Sequence, residues 1–160
     1  MELLYKPDFE RAKDVWNHFW AGENLKRPPL LASITKKRGL LKDQWTQYYY
    51  PLTGQYKKQL QIIDVILENT EYLGDHIPFF APDHGPDQFA AILGAELKYS
   101  ESSKNTTWVD PVIDTWEKHL PLRLDPQNKT WCSLVEFSKI LAEHSSGRYV
   151  VGVCDFHSNA

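Results

Sequence analysis

Short, unbroken apolar runs place the strongest limit on what this chain can fold into. They occupy residues 30–34, 77–81 and 149–153, and longer stretches separate them. Alternating strands suit a sheet with one face in water, whereas solid apolar strands suit a parallel sheet that is covered on both faces. The sequence therefore predicts an α/β fold in which helices cover a parallel sheet.

Helical periodicity fills the stretches between these runs, because apolar residues recur there every three or four positions. The helices predicted from this spacing cover residues 8–21, 54–70, 86–93 and 128–145. Asp8 is a suitable cap for the first helix. Residues 108–113 predict one further, short strand. The order is a leading helix followed by alternating strands and helices.

Composition and charge bound the class of protein. With 160 residues, of which 42% are hydrophobic, the chain can bury one core, and we expect a single domain over residues 1–160. The formal net charge of -3 gives no general attraction to nucleic acid or to an anionic membrane. No apolar run approaches the roughly 20 residues of a membrane span. Two cysteines, Cys132 and Cys154, fit free thiols in the cytoplasm.

Acidic residues and histidines follow two of the apolar runs directly. Asp83 and His84 come after residues 77–81, and Asp155 and His157 come after residues 149–153. Chemistry in parallel α/β folds takes place at the carboxyl ends of the strands, and these residue types serve as acids and bases. We therefore treat the four side chains as candidate catalytic residues, on two strands that are expected to be neighbours. A turn or a helix cap is the structural alternative for Asp83.

A metal site is not expected. Cys154 and His157 have the spacing of two zinc ligands. Zinc needs three or four protein ligands, and no partner pair with similar spacing occurs elsewhere in the chain.

A cluster of cations follows the first apolar run. Lys36, Lys37 and Arg38 are consecutive, and a guanidinium binds a carboxylate through two parallel hydrogen bonds. These three residues are candidates for binding an anionic substrate. A solvated loop is the alternative interpretation of the same residues.

Several motifs together resemble the amino-terminal part of the uroporphyrinogen decarboxylase-like superfamily, in particular a divergent branch of it. They are ERA at residues 10–12, FW at 19–20, RPP at 27–29, IPFFAPDHGPDQ at 77–88, FAAILG at 89–94 and YVVGVCDFHSN at 149–159. The resemblance implies a (β/α)8 TIM barrel. Such a barrel needs about 250 residues, so the chain is expected to be its amino-terminal half with a leading helix.

The resemblance also implies an activity. The family's decarboxylase removes carbon dioxide from the acetate side chains of a cyclic tetrapyrrole, with no metal or organic cofactor. Asp83 matches an aspartate that follows an apolar strand in the decarboxylase, where it steers the substrate and stabilises a protonated pyrrole. The decarboxylase also has two arginines after its first strand. Arg38 matches the second, but Ile34 or Thr35 stands near the first, which is a departure from the pattern.

Other functions stay open at this stage. Related members of the superfamily are corrinoid-dependent methyltransferases, which use a zinc ion whose ligands lie mainly in the later half of the barrel. A noncatalytic binding or assembly module is the alternative outside enzymes, and the chain alone is expected to be an inactive fragment. Its expected partners are a small-molecule substrate and a second copy of itself, because residues 149–153 predict a bare apolar strand edge.

Overall fold

The computed structural model describes residues 2–23, 25–41, 48–100 and 106–156. They form two compact units, each assembled from three separate stretches of chain. Unit 1 comprises Met1–Lys42, Leu60–Phe80 and Leu141–Gly152, and unit 2 comprises Asp43–Gln59, Ala81–Ile140 and Val153–Ala160. The single domain expected over residues 1–160 stays a prediction.

Helices and short strands alternate along much of the chain. The helices are α1 (Phe9–Trp20), α2 (Tyr49–Leu52), α3 (Tyr56–Asn69), α4 (Gln88–Ile92), α5 (Trp116–His119) and α6 (Lys129–His144). The strands are β1 (Leu31–Thr35), β2 (Thr70–Gly74), β3 (Phe79–Phe80), β4 (Lys98–Tyr99), β5 (Thr107–Trp108) and β6 (Val150–Val151). Within the described ranges, no helix is long and apolar enough to cross a membrane.

The four predicted helices are confirmed as α1, α3, α4 and α6, each within two residues of its predicted ends. The apolar stripes of α3 and α6 pack into the cores, as the spacing predicts, whereas Phe19 and Trp20 at the end of α1 are exposed. Ile63 and Leu67 of α3 and Leu134, Phe137 and Leu141 of α6 are all buried. The predicted capping bond of Asp8 is wrong, because the Asp8 side chain makes no cap hydrogen bond. It pairs instead with Lys6 through Oδ1 and with Arg11 through Oδ2.

The strands form three sheets of two strands each. β3 and β6 pair in parallel, with Phe79 opposite Val150 and Phe80 opposite Val151. This confirms that the second and third apolar runs are parallel neighbours. β4 and β5 pair antiparallel. The sheets of the described residues are small and open, and the partial barrel therefore stays a prediction.

The first apolar run differs from its prediction as a buried strand of a parallel sheet. β1 pairs antiparallel with β2, from Leu31 opposite Gly74 to Thr35 opposite Thr70. Leu31 and Ile34 remain 53% and 52% exposed. The partner strand follows α3 without an intervening residue, so its sequence continues the helical pattern and gives no separate strand signal. A solid apolar run thus predicts a strand here but not its burial.

Candidate functional site

Two polar segments follow the parallel strands, and one side chain of unit 2 joins them. Gln88, the first residue of α4, accepts a hydrogen bond at Oε1 from the backbone N–H of His84, at 3.1 Å. Its Nε2 donates to the backbone carbonyl of Asp155, at 2.8 Å. Asp83, His84, Gln88, Cys154 and Asp155 are called the strand-end cluster below.

Asp83 shapes the turn after β3. It is partly buried, and its Oδ1 accepts a hydrogen bond from the backbone N–H of Gly85 at 2.7 Å. Gly85 has a φ of 91°, and a Cβ at this position would lie 2.4 Å from Thr107 Oγ1. Only glycine fits this turn, since a side chain would suffer both backbone strain and a clash. Asp83 therefore makes the turn contact expected of its structural alternative, and its catalytic role stays a prediction.

His84 is fully buried inside unit 2. Its Nε2 lies 2.9 Å from Ser133 Oγ, whereas no hydrogen-bond partner for Nδ1 occurs among the described residues. Burial lowers the pKa of His84 to about 4, so the imidazole is neutral at neutral pH. A side chain with 0% exposure contacts no substrate in this structure. The geometry favours a positioning role for His84 over direct acid–base chemistry.

A chain of hydrogen bonds leads away from His84. Ser133 Oγ lies 3.0 Å from the hydroxyl of Tyr56, which donates to Glu136 Oε2 at 3.1 Å. Tyr56 also stacks on Phe137, and burial raises the pKa of its phenol. A serine beside a histidine is the core of a hydrolase triad, but there the second imidazole nitrogen is oriented by a carboxylate. His84 Nδ1 has no such partner in the part of the chain that the structure describes.

The sequence interpretation missed this chain of polar groups. Ser133 and Glu136 lie three positions apart on α6, so they share a helix face and point to one partner. That spacing is the only local signal. Tyr56 comes from α3, far away along the chain, and its contact with Ser133 is a product of tertiary packing.

Both acidic residues of the cluster act electrostatically on the Cys154 thiol. The thiol is partly buried, and this burial raises its pKa. The negative charges of Asp83 and Asp155 raise the pKa further, so both carboxylates lie within electrostatic reach of one sulfur atom. His157, the remaining catalytic candidate, lies outside the described residues.

No group of three or more His, Cys, Asp or Glu side chains within the described ranges is arranged to hold a metal ion. The expectation of a site without metal stays a prediction. Both cysteines are free thiols.

The cationic residues Lys36, Lys37 and Arg38 are exposed and follow β1 in unit 1. Asn69 fixes their backbone: its Oδ1 accepts from the Lys37 N–H at 2.8 Å, and its Nδ2 donates to the Lys37 carbonyl at 2.7 Å. The Lys36 ammonium donates to the carbonyl of Glu68 at 2.9 Å. The turn is thus held in place, and its role in binding substrate carboxylates stays a prediction.

Unit 1 contains a buried ion cluster that the sequence interpretation also missed. The carboxylate of Asp75 has 0% exposure and accepts hydrogen bonds from Arg11 at 2.9 Å, from Arg27 at 2.5 and 3.0 Å, and from the Leu30 N–H at 2.8 Å. Arg27, the Leu30 N–H and Arg11 together hold the pKa of Asp75 well below its usual range. Trp16 Nε1 donates to the Asp75 carbonyl at 2.7 Å. The arginines of the ERA and RPP motifs therefore have a structural role.

No protein-family model matches this chain, and neither a curated protein nor a solved structure shows significant similarity to it. The resemblance to the uroporphyrinogen decarboxylase-like superfamily therefore remains a hypothesis that the motifs alone carry.

Proposed function

We propose that the strand-end cluster is the amino-terminal part of the active site of a cofactor-free decarboxylase, which acts on the acetate side chains of a tetrapyrrole in the cytoplasm. One observation carries the proposal. The segments that follow two parallel strands are joined through Gln88, and the Asp83 and Asp155 carboxylates on these segments both raise the pKa of the Cys154 thiol. The ends of parallel strands are where α/β enzymes hold their reacting groups.

The chemistry needs an acid group and a fixed negative charge. Protonation of a pyrrole carbon makes the ring an acceptor for the electron pair of the breaking carbon–carbon bond. Carbon dioxide leaves, the remaining exocyclic carbon takes up a proton to become a methyl group, and the ring carbon then gives back the proton that it took up first. A carboxylate beside the ring nitrogens stabilises the cationic ring while the bond breaks. We assign this task to Asp83, which follows β3 directly in the order that the resemblance implies.

The test of this function supplies uroporphyrinogen, under anaerobic and reducing conditions, to the protein that the complete natural reading frame encodes. Released carbon dioxide and the methylated products are measured together. Asp83→Asn keeps the turn-forming oxygen but removes the charge, and we expect its rate to fall about 100-fold, the usual effect of losing one electrostatic or acid–base group.

Asp87→Asn is the matched control. Asp87 lies four residues along the chain, its side chain caps no helix, and its φ of 65° suits asparagine. We expect wild-type turnover from this variant. The proposal fails if the wild-type protein releases no carbon dioxide, or if the two variants lose activity equally.

A further inference from the structure

Gln88 is a buried side chain whose two polar atoms both act on other parts of the chain. It is 3% exposed. Its hydrogen bonds reach His84, four residues earlier in the chain, and Asp155, far along the sequence. The next residue repeats the connection, because the Phe89 ring contacts the Phe156 ring edge to face at 6.1 Å. Two consecutive residues of α4 thus hold residues 155 and 156.

The carboxamide of Gln88 can make both of these bonds without carrying a charge. It offers an acceptor and a donor on one rigid plane, whereas a carboxylate offers no donor and a thioether offers neither group in useful strength. Both partners are backbone groups, and a buried backbone group left without a hydrogen bond is costly. The side chain is therefore specific to the pair of segments that it joins.

We propose that Gln88 is a positioning residue that locks the segment after β6 to the turn after β3 and thereby sets the separation of Asp83, Cys154 and Asp155. The assignment rests on the proposed function insofar as it treats these groups as an active site. The lock itself is a property of the folded chain and can be measured without turnover.

The Cys154 thiol reports on the lock. Its partial burial and its two acidic neighbours both suppress the thiolate, so the locked segment keeps the thiol slow to react. Cys132 is exposed on α6 and serves as a reference thiol in the same molecule. A pyridyl disulfide reacts with thiols at acid as well as neutral pH, and mass spectrometry of the two cysteine peptides gives the ratio of their labelling rates.

Gln88→Met keeps the side-chain volume and removes both hydrogen bonds. We expect the Cys154 to Cys132 labelling ratio to rise about tenfold, which matches the loss of two hydrogen bonds of ordinary net strength. Gln59→Met is the matched control, since Gln59 is also a buried glutamine of unit 2 and its Oε1 has no partner among the described residues. Its ratio should equal that of the wild-type chain.

Gln88→Glu tests whether the hydrogen bonds of the side chain, rather than its size alone, hold the two segments together. Its carboxylate cannot donate to the Asp155 carbonyl at neutral pH, so the ratio should be high there. A buried carboxyl takes up a proton as the pH falls toward about 5, and the protonated form again has one donor and one acceptor. The ratio should then return toward the wild-type value. His84 stays neutral in this range, because its pKa is about 4.

The lock is refuted if Gln88→Met folds cooperatively with an unchanged ratio. Where the Met variant does not fold, Gln88→Glu decides, and a ratio that does not respond to acid refutes the proposal. Labelling that rises as expected in a protein without decarboxylase activity overturns the proposed function and leaves the lock standing. Decarboxylase activity in the wild-type protein, together with an unchanged labelling ratio in the Gln88 variants, refutes the lock and leaves the proposed function standing.

Discussion

Asp75 in unit 1 and His84 in unit 2 have completely buried side chains, yet they are accommodated in opposite ways. Asp75 keeps its charge, because two guanidinium groups and a backbone N–H surround the carboxylate. His84 loses its charge, because one ring nitrogen meets only a serine hydroxyl and the other meets no partner among the described residues. The pKa falls in both cases, through pairing of the anion in one and through burial of the cation in the other.

The difference separates scaffold from candidate site. The Asp75 carboxylate has every acceptor position filled, so it is held firmly in the fold. Its partners are residues of α1 and of the segment before β1. The His84 imidazole, whose Nδ1 has no hydrogen-bond partner within the described part of the chain, is less completely satisfied, and it belongs to the turn that carries Asp83. Incompletely satisfied groups concentrate where a fold serves chemistry rather than stability alone.

Loss of the Asp75 carboxylate should have the largest effect. Asp75→Ala leaves Arg11 and Arg27 facing a cavity, and we expect the free energy of unfolding to fall by about 3 kcal/mol, at the low end for a broken buried pair because both guanidinium groups are half exposed. Urea denaturation at neutral pH measures the change. Asp14→Ala, on the exposed face of α1, should cost far less. Equal losses in the two variants would contradict a scaffold role for Asp75.

Acid should cause a loss of comparable size, at His84. The unfolded imidazole binds a proton below its usual pKa of 6.5, whereas the folded one does so only near 4. Stability from the neutral imidazole is therefore complete above pH 6.5 and falls as the pH drops toward 4. The full loss is roughly 3 kcal/mol. Urea midpoints of the wild-type chain and of His84→Gln, taken across this range, should converge as the pH falls.

An identical slope for the wild-type chain and for His84→Gln would show that the histidine is not held neutral. The carboxylate of Asp75 contributes in a different window, since its lowered pKa makes its share of stability disappear only below its usual value of 3.8.

Thr107 should give the smallest of these effects. Its buried hydroxyl shares its one proton between the carbonyls of His84 and Pro86, which lie 3.0 and 2.6 Å away, and so secures the turn. Thr107→Val keeps the shape, and we expect a loss of roughly 1 to 2 kcal/mol in chemical denaturation. Thr53→Val removes an exposed hydroxyl bonded to the Tyr49 carbonyl and should cost less. A neutral Thr107→Val would mean that the turn around His84 is held by packing alone.

Much of the secondary structure was predictable from the sequence, because helical spacing is a local property. The parallel pairing of β3 with β6 was also predictable, since both are solid apolar runs followed by polar residues. β2 was not, because it follows α3 directly and mixes polar with apolar side chains. The antiparallel pairing of β1 depends on that missed partner, so its exposure could not be inferred.

The candidate site was predictable in composition but not in arrangement. Asp83, His84 and Asp155 were found from their place after the strands, and the structure links their segments. That His84 is buried against Ser133 depends on a contact across distant parts of the chain, which leaves no local pattern. The same holds for Arg11 and Arg27, which were noted as motif residues although their common partner, Asp75, carried no signal of its own.

The parallel pairing of β3 with β6 also has a consequence for the order of folding. The whole of α4, α5 and α6 lies between the two strands, so their contact closes a long loop and cannot form early from local interactions. During synthesis the ribosome releases Phe79 and Phe80 well before Val150 and Val151. The nascent chain therefore carries two unpaired phenylalanines while residues 81–149 are synthesised, a period in which a chaperone has a defined apolar segment to protect.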